Sequence, residues 1–218
     1  MVIAVASLAG AAASASPPRD RDLTESEARR LAAHELVVKD GDAPGFPWPE
    51  TTVYRRVRAS PEEVMAVYVD FDNQSRYLPD LVECRTVRRL GPNRFHVYYE
   101  YEVPGPNERY TVEVTIARTE AGFWTTWELI EAPYARRLSG EVRAEPLGTE
   151  SLVVYVNRVD PGVLGAVLGS PASVSRRLQA TVQALAARVE RLKTDEPEAL
   201  SGLVRKLGLI GGDRRVVP

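Results

Sequence analysis

The stretch SPEEVMAVYVDFDNQSRYLPDL, Ser60 to Leu81, decides how the rest of the chain is read. Ser60 is an N-cap, Pro61 takes the first helical position, and Glu63 stands three residues after the cap, where its carboxylate reaches back to the cap's own N–H. Val64, Val67, Tyr68 and Phe71 fall at i, i+3, i+4 and i+7, one apolar face. A helix so well started nevertheless stops after about three turns, at Asp72-Asn73, and runs into Tyr77-Leu78-Pro79. Such an element must serve something beyond itself, and its flanks say what.

Upstream, TTVYRRVRAS (Thr51 to Ser60) reads as a strand. Downstream come six strand-like runs with turn signals between them: LVECRTVRRL, RFHVYYEYEV, RYTVEVTIAR, FWTTWELI, RRLSGEVRAE and SLVVYVNRVD. Short turns between consecutive strands make an antiparallel meander. Alternation sorts Phe95, Val97, Tyr99, Tyr101 and Val103 to one face, with His96, Tyr98, Glu100 and Glu102 on the other. Tyr110, Val112, Val114 and Ile116 continue the apolar face, as do Thr125, Trp127 and Leu129, while the opposite face is expected to be wet.

The last large element is SPASVSRRLQATVQALAARVERL, Ser170 to Leu192. Ser170 is its N-cap and Pro171 its first residue. Val174, Leu178, Thr181, Val182, Leu185 and Val189 share one face, and Arg176, Arg177, Gln179, Gln183, Arg188 and Glu190 lie mainly on the other. The apolar face of the sheet is its natural partner.

The order of strand, two short helical pieces, six strands and a long helix, with the stretch RRVRASPEEVMAVYVDFDNQSRYLPDLVECRTVRR (Arg55 to Arg89), resembles the START-like, or SRPBCC, superfamily of polyketide cyclase and lipid-transport proteins. Within it, the chain looks most like the branch containing coenzyme Q-binding and cyclase/dehydrase-like proteins. The resemblance covers about Thr51 to Leu192. It implies an α+β helix-grip fold: a curved antiparallel sheet of about seven strands wrapped around the long C-terminal helix, with two short helices after the first strand and a cavity between. The expected lining is Phe71, Tyr77, Tyr99, Tyr101, Val112, Val114, Trp127, Leu129, Gly140, Tyr155, Asn157, Leu178 and Val182. Gly140, Thr125, Ala144 and Thr181 are small and argue for retained space; the large aromatics argue for a filled one. Asn157 is a candidate for fixing a ligand's polar group, or equally for bonding a neighbouring loop.

Composition narrows the functions. The 218 residues carry a formal charge of -2, which offers no basic excess for nucleic acid. Cys84 is the single cysteine, so neither a disulfide framework nor a multi-cysteine metal site is possible; in a strand it reads as a small buried hydrophobe. His34 and His96 do not suggest a metal pair, and no cofactor is expected. With no nucleophile and base in view, no catalytic residue is assigned. The expected function is noncatalytic binding of a lipid, isoprenoid or sterol-like molecule, with transport of that molecule as its extension. The alternative is a polyketide-type cyclase or aromatase using Tyr99, Tyr101 or the Arg136-Arg137 pair, and a third reading is a protein-interaction module of the same fold.

Residues 1–18, MVIAVASLAGAAASASPP, resemble a signal-peptide apolar region ending at Ala13-Ser14-Ala15, so export to the periplasm or beyond is expected, with a cytoplasmic protein carrying a disordered leader as the alternative. Residues 19–50 are expected to form an accessory helix, capped by Thr24 with Glu27, and a Pro/Gly-rich linker. The ligand-binding domain spans 51–192, and 193–218 form a tail with one weak helix. In Gly162 to Gly169, GVLGAVLG, the residues Val163 to Leu168 either pack on the domain or form a glycine-hinged lid making transient membrane contact.

Overall fold

The computed structural model describes residues 23–103 and 105–210. The leader of residues 1–18 therefore lies outside the described residues. Eight strands, all antiparallel, form one sheet in the order β1-β2-β8-β7-β6-β5-β4-β3. These are β1 (Val37–Gly41), β2 (Glu50–Val57), β3 (Leu81–Arg89), β4 (Arg94–Tyr101), β5 (Glu108–Thr119), β6 (Gly122–Glu131), β7 (Arg137–Leu147) and β8 (Glu150–Asp160). The helices are α1 (Glu25–Ala32), α2 (Pro61–Tyr68), α3 (Gly162–Leu168), α4 (Pro171–Asp195) and α5 (Pro197–Ile210), with a 3-10 turn at Phe71–Arg76.

The six-strand meander is β3 to β8, as its alternation requires. The eighth strand is β1, from the segment expected to be a linker. It adds to the outer edge of β2 in the register Val37 with Tyr54. Strand β2 crosses the domain to pair with β8, Thr51 against Asn157, and Arg56 donates to Glu150 across that seam. The sheet thereby curls around α4, a helix-grip architecture.

Helix α2 starts as its capping box dictates. Ser60 Oγ accepts from Glu63 N at 3.2 Å, and Ser60 N donates to the Glu63 carboxylate at 2.7 Å. Val64, Val67, Tyr68 and Phe71 are all buried, but so are Met65 and Ala66 on the other flank. Helix α5 accounts for this: the one weak helix expected in the tail is a fourteen-residue helix through 197–210 whose Leu200 and Leu207 join the same core. Leu200, Leu203, Val204 and Leu207 recur at i, i+3, i+4 and i+7, the face that α2 needs.

The outer face of the sheet is wet only in part. Behind β1, β2 and β8, Leu31 of α1 packs on Val37, Tyr54, Leu152, Val154 and Val156, a second small core. Runs of consecutive apolar residues such as Leu152 to Val156 mark a strand covered on both faces.

Helix α4, 25 residues long, buries Leu178, Thr181, Val182, Leu185, Ala186, Val189 and Leu192. Val174, one turn before Leu178, is only half-buried. Burial on α4 begins only at Leu178, so its first two turns are less enclosed than the rest, and that difference makes the site.

Candidate functional site

Where the first turns of α4 diverge from the sheet, three chambers lie in series. The innermost, about 30 Å³, is bounded by Tyr68 of α2, Gln74 and Leu78 below it, the strand residues Tyr99, Tyr101, Tyr110, Val112, Val114, Trp127 and Tyr155, and Thr181. A middle chamber of about 80 Å³ shares Tyr101, Tyr110, Tyr155 and Thr181 with it and adds Leu138, Asn157, Leu178 and the pair Glu108 and Arg177. A mouth of about 190 Å³ shares Glu108, Val159, Val174 and Arg177 and is rimmed by Trp48, Val103, Pro106, Tyr134, Pro161 and α3. The inner chamber holds little more than a water or two. Space widens toward the mouth.

Aromatic packing explains the narrow inner end. Tyr99, Tyr101 and Tyr110 stack across β4 and β5 with ring centres 5.4 to 6.3 Å apart. Trp127 meets Tyr155 edge-on at 5.1 Å, and Tyr155 meets Tyr68 at 6.3 Å. Burial pushes the phenols of Tyr68, Tyr99, Tyr101, Tyr110 and Tyr155 above the usual tyrosine range, so each stays a neutral hydroxyl. At the floor, Gln74 Nε2 donates to the Tyr68 carbonyl at 2.6 Å, and the Cys84 thiol donates to Gln74 Oε1 at 3.5 Å. Burial also raises the thiol's pKa, which keeps Cys84 protonated and unreactive.

Of the residues expected at the lining, Tyr99, Tyr101, Val112, Val114, Trp127, Tyr155, Asn157 and Leu178 border the chambers. Five do not. Phe71 packs on Phe95 at 6.2 Å beneath the floor, and the Tyr77 hydroxyl is spent on the Val67 carbonyl at 3.2 Å. Leu129 lies beyond the wall at the far end of β6, and Val182 packs with Val53 and Leu178 on the β2 side. Gly140 leaves no space, because the indole of its cross-strand neighbour Trp127 occupies the room above it. Thr125 and Ala144 are likewise filled positions: Thr125 Oγ1 donates to Met65 Sδ at 3.1 Å, and Ala144 is sealed in the core. Arg137 stacks on Phe46 at 4.3 Å, and neither it nor Arg136 borders a chamber.

Sequence reasoning missed Tyr68, Gln74, Leu78, Glu108 and Arg177 as lining residues. Tyr68 was visible as an apolar-face position, but its role as a wall was not. Arg177 was assigned to the solvent face of its helix; it flanks that face and borders both the mouth and the middle chamber. Asn157 borders the middle chamber, and its side chain makes no hydrogen bond among the described residues. No group of three metal-ligating side chains occurs among the described residues.

Comparison with solved structures finds this architecture repeatedly. A STAR-related lipid transfer protein from Xanthomonas axonopodis is 17% identical, with a TM-score of 0.62, covering 71% of this chain and 93% of its own. Zhui aromatase/cyclase from Streptomyces sp. R1128 is 19% identical with a TM-score of 0.54, over 67% of this chain and 96% of its own. The human StAR-related lipid transfer protein 5 is 14% identical with a TM-score of 0.57, over 72% and 83%. At these identities the likeness establishes the fold alone. Among proteins of curated function, none matches the chain. A family model does match it, over residues 49–190, from the start of β2 to the last turns of α4, and so takes in the meander, the α2 cap and the gripped helix together. The chain belongs to the polyketide cyclase/dehydrase and lipid transport family.

Proposed function

We propose that the protein binds a hydrophobic small molecule in the chambers between its sheet and α4, without transforming it, and passes it on. The observation that carries this reading is the serial cavity: apolar and phenolic walls, a mouth under α3, and hydroxyls held neutral by burial. Family and fold are compatible with hydrophobic-ligand binding or with polyketide cyclase activity. Binding without turnover is favoured because the arginines considered for general-acid work lie off the chambers and the wall phenols sit far above the range in which they would exchange protons near neutrality.

As it stands, each chamber is smaller than the ~300–1,000 Å³ of a site for a drug-sized ligand. Uptake of a larger molecule then calls for α3 to move. Gly162, at φ +67°, sits so close to the Tyr134 carbonyl that a Cβ would come within 2.4 Å of it, which anchors one end of that helix. Val163 and Val167, one turn apart on α3, are 69% and 76% exposed. These two valines support transient membrane contact during exchange; the side chains at 164 and 168 lie outside the described residues. Export, expected from residues 1–18, belongs to the same reading and is tested by N-terminal sequencing of the mature protein.

The deciding experiment is native mass spectrometry of purified protein with organic extraction of what it carries. Recovery of an intact hydrophobic molecule that quenches tryptophan fluorescence on rebinding supports a carrier. An extracted molecule that the protein converts to a cyclised or dehydrated product supports the cyclase reading instead.

A further inference from the structure

Every residue lining the three chambers is uncharged except two, Glu108 and Arg177, and these stand together where the mouth meets the middle chamber. Arg177 Nη1 donates to Glu108 Oε2 at 3.0 Å, and the guanidinium carbon lies 5.2 Å from the ring centre of Tyr101. That one bond uses one of five N–H donors, and the others meet no acceptor among the described residues.

An ion pair about a third exposed contributes little to stability, so the fold does not explain the placement. Ligand occupancy does. A wholly apolar molecule filling the chambers would strip water from the guanidinium and leave most of its donors unsatisfied, which is costly. A molecule with an anionic oxygen group would instead meet the fork of donors and gain charge-assisted hydrogen bonds. Glu108 begins β5 at the rim, where its carboxylate can turn to solvent as the ligand's anion takes its place.

We infer that the cavity takes a hydrophobic molecule bearing one anionic group, with Arg177 as the receptor for that group and Glu108 as the carboxylate it displaces. This rests on the binding reading above and specifies its ligand class. The aromatic surface around Tyr101 and Tyr155 holds the apolar body, and Arg177 fixes its polar end.

Two fluorescent probes test it: N-phenyl-1-naphthylamine, which is neutral, and 1-anilinonaphthalene-8-sulfonate, which adds one sulfonate to the same aromatic body. Wild-type protein is expected to bind the sulfonate at least about tenfold more tightly, about 1.4 kcal/mol. Arg177→Gln should abolish that preference and leave the neutral probe within about twofold. Glu108→Gln should strengthen sulfonate binding severalfold, and Arg176→Gln, at the exposed neighbouring position, should change neither. Dodecanoate should displace the bound sulfonate better than dodecanol does. Equal affinity of the two probes for wild type, an equal loss of both in Arg177→Gln, weaker sulfonate binding in Glu108→Gln, or equal displacement by acid and alcohol overturns the inference while leaving a hydrophobic cavity in place. Failure of wild type to bind either probe overturns the binding reading itself.

Discussion

Trp127 of β6 lies directly over Gly140 of β7: a Cβ at position 140 would fall 2.4 Å from the indole Cζ2 and 2.3 Å from the Val156 carbonyl. The indole can reach the wall of the inner chamber only because its partner has no side chain. Gly140→Ala is therefore expected to destabilise the protein by about 1–3 kcal/mol through overpacking. It should also shift tryptophan emission as the ring leaves Tyr155, and a thermal melt read by fluorescence checks both. An unchanged melting temperature and spectrum would mean the sheet absorbs the methyl group elsewhere.

Truncating the indole itself separates wall from surface. Trp127→Ala should cost about 3–5 kcal/mol of stability and change the affinity of a neutral aromatic probe. Glu113→Ala, which breaks an outer-face ion pair with Arg94, should stay within about 0.5 kcal/mol on both counts. Urea melts and fluorescence titrations on the two variants side by side provide the comparison. Equal effects would place Trp127 outside the functional wall.

Alkaline pH should open the core in one step. Burial raises the pKa of Tyr68, Tyr77, Tyr99, Tyr101, Tyr110 and Tyr155 in the folded chain. Below pH ~10, the ordinary phenol value, folded and unfolded chains both keep these protons and stability is undiminished. Above it the unfolded chain gives up protons that the folded chain holds, so stability falls as pH rises. Cys84 acts in the same direction from its ordinary value of 9.0. Phenolate absorbance should rise for these six tyrosines together with the loss of circular dichroism, and a gradual rise with the fold intact would contradict their burial.

Helix α5 should be indispensable to the domain. Leu207→Ala is expected to cost about 2–5 kcal/mol, since Leu207 is buried in the main core beside α2. Deleting residues 197–218 should uncover Met65 and Ala66, which urea denaturation and dye binding would register. A deletion as stable as the full chain would show that α2 needs no such cover.

The Ser60 to Leu81 stretch disclosed the fold because its signals are local: cap, proline and apolar spacing act within one or two turns. The meander was legible for the same reason, since alternation in RFHVYYEYEV sorts its faces without knowledge of its neighbours. What depended on neighbours was not. Strand β1 exists because β2 offers it an edge, and its five residues VVKDG hold no pattern of their own. Helix α5 did carry an apolar face, but Gly202 and Gly208 obscured it. Gly140 suggested empty space until the register placed Trp127 opposite it. Arg177 looked solvated because a two-sided view of a helix has no category for a flank that faces a cavity.

The seam between β2 and β8 has a consequence for how the protein comes into being. Arg56 and Glu150 are 94 residues apart, and the sheet cannot curl until they meet. Such distant pairings are slow to form, because loop closure must precede the contacts that reward it. During synthesis the first five strands of the meander can assemble one by one as they emerge, but β8 and the helices that follow it, α4 among them, come later. A nascent chain lacking them has an open sheet with its tyrosines in water and no chamber to fill. On the binding reading proposed above, loading with ligand is accordingly an event of the finished polypeptide, and a molecule present at that moment would act as a template on which the two ends close.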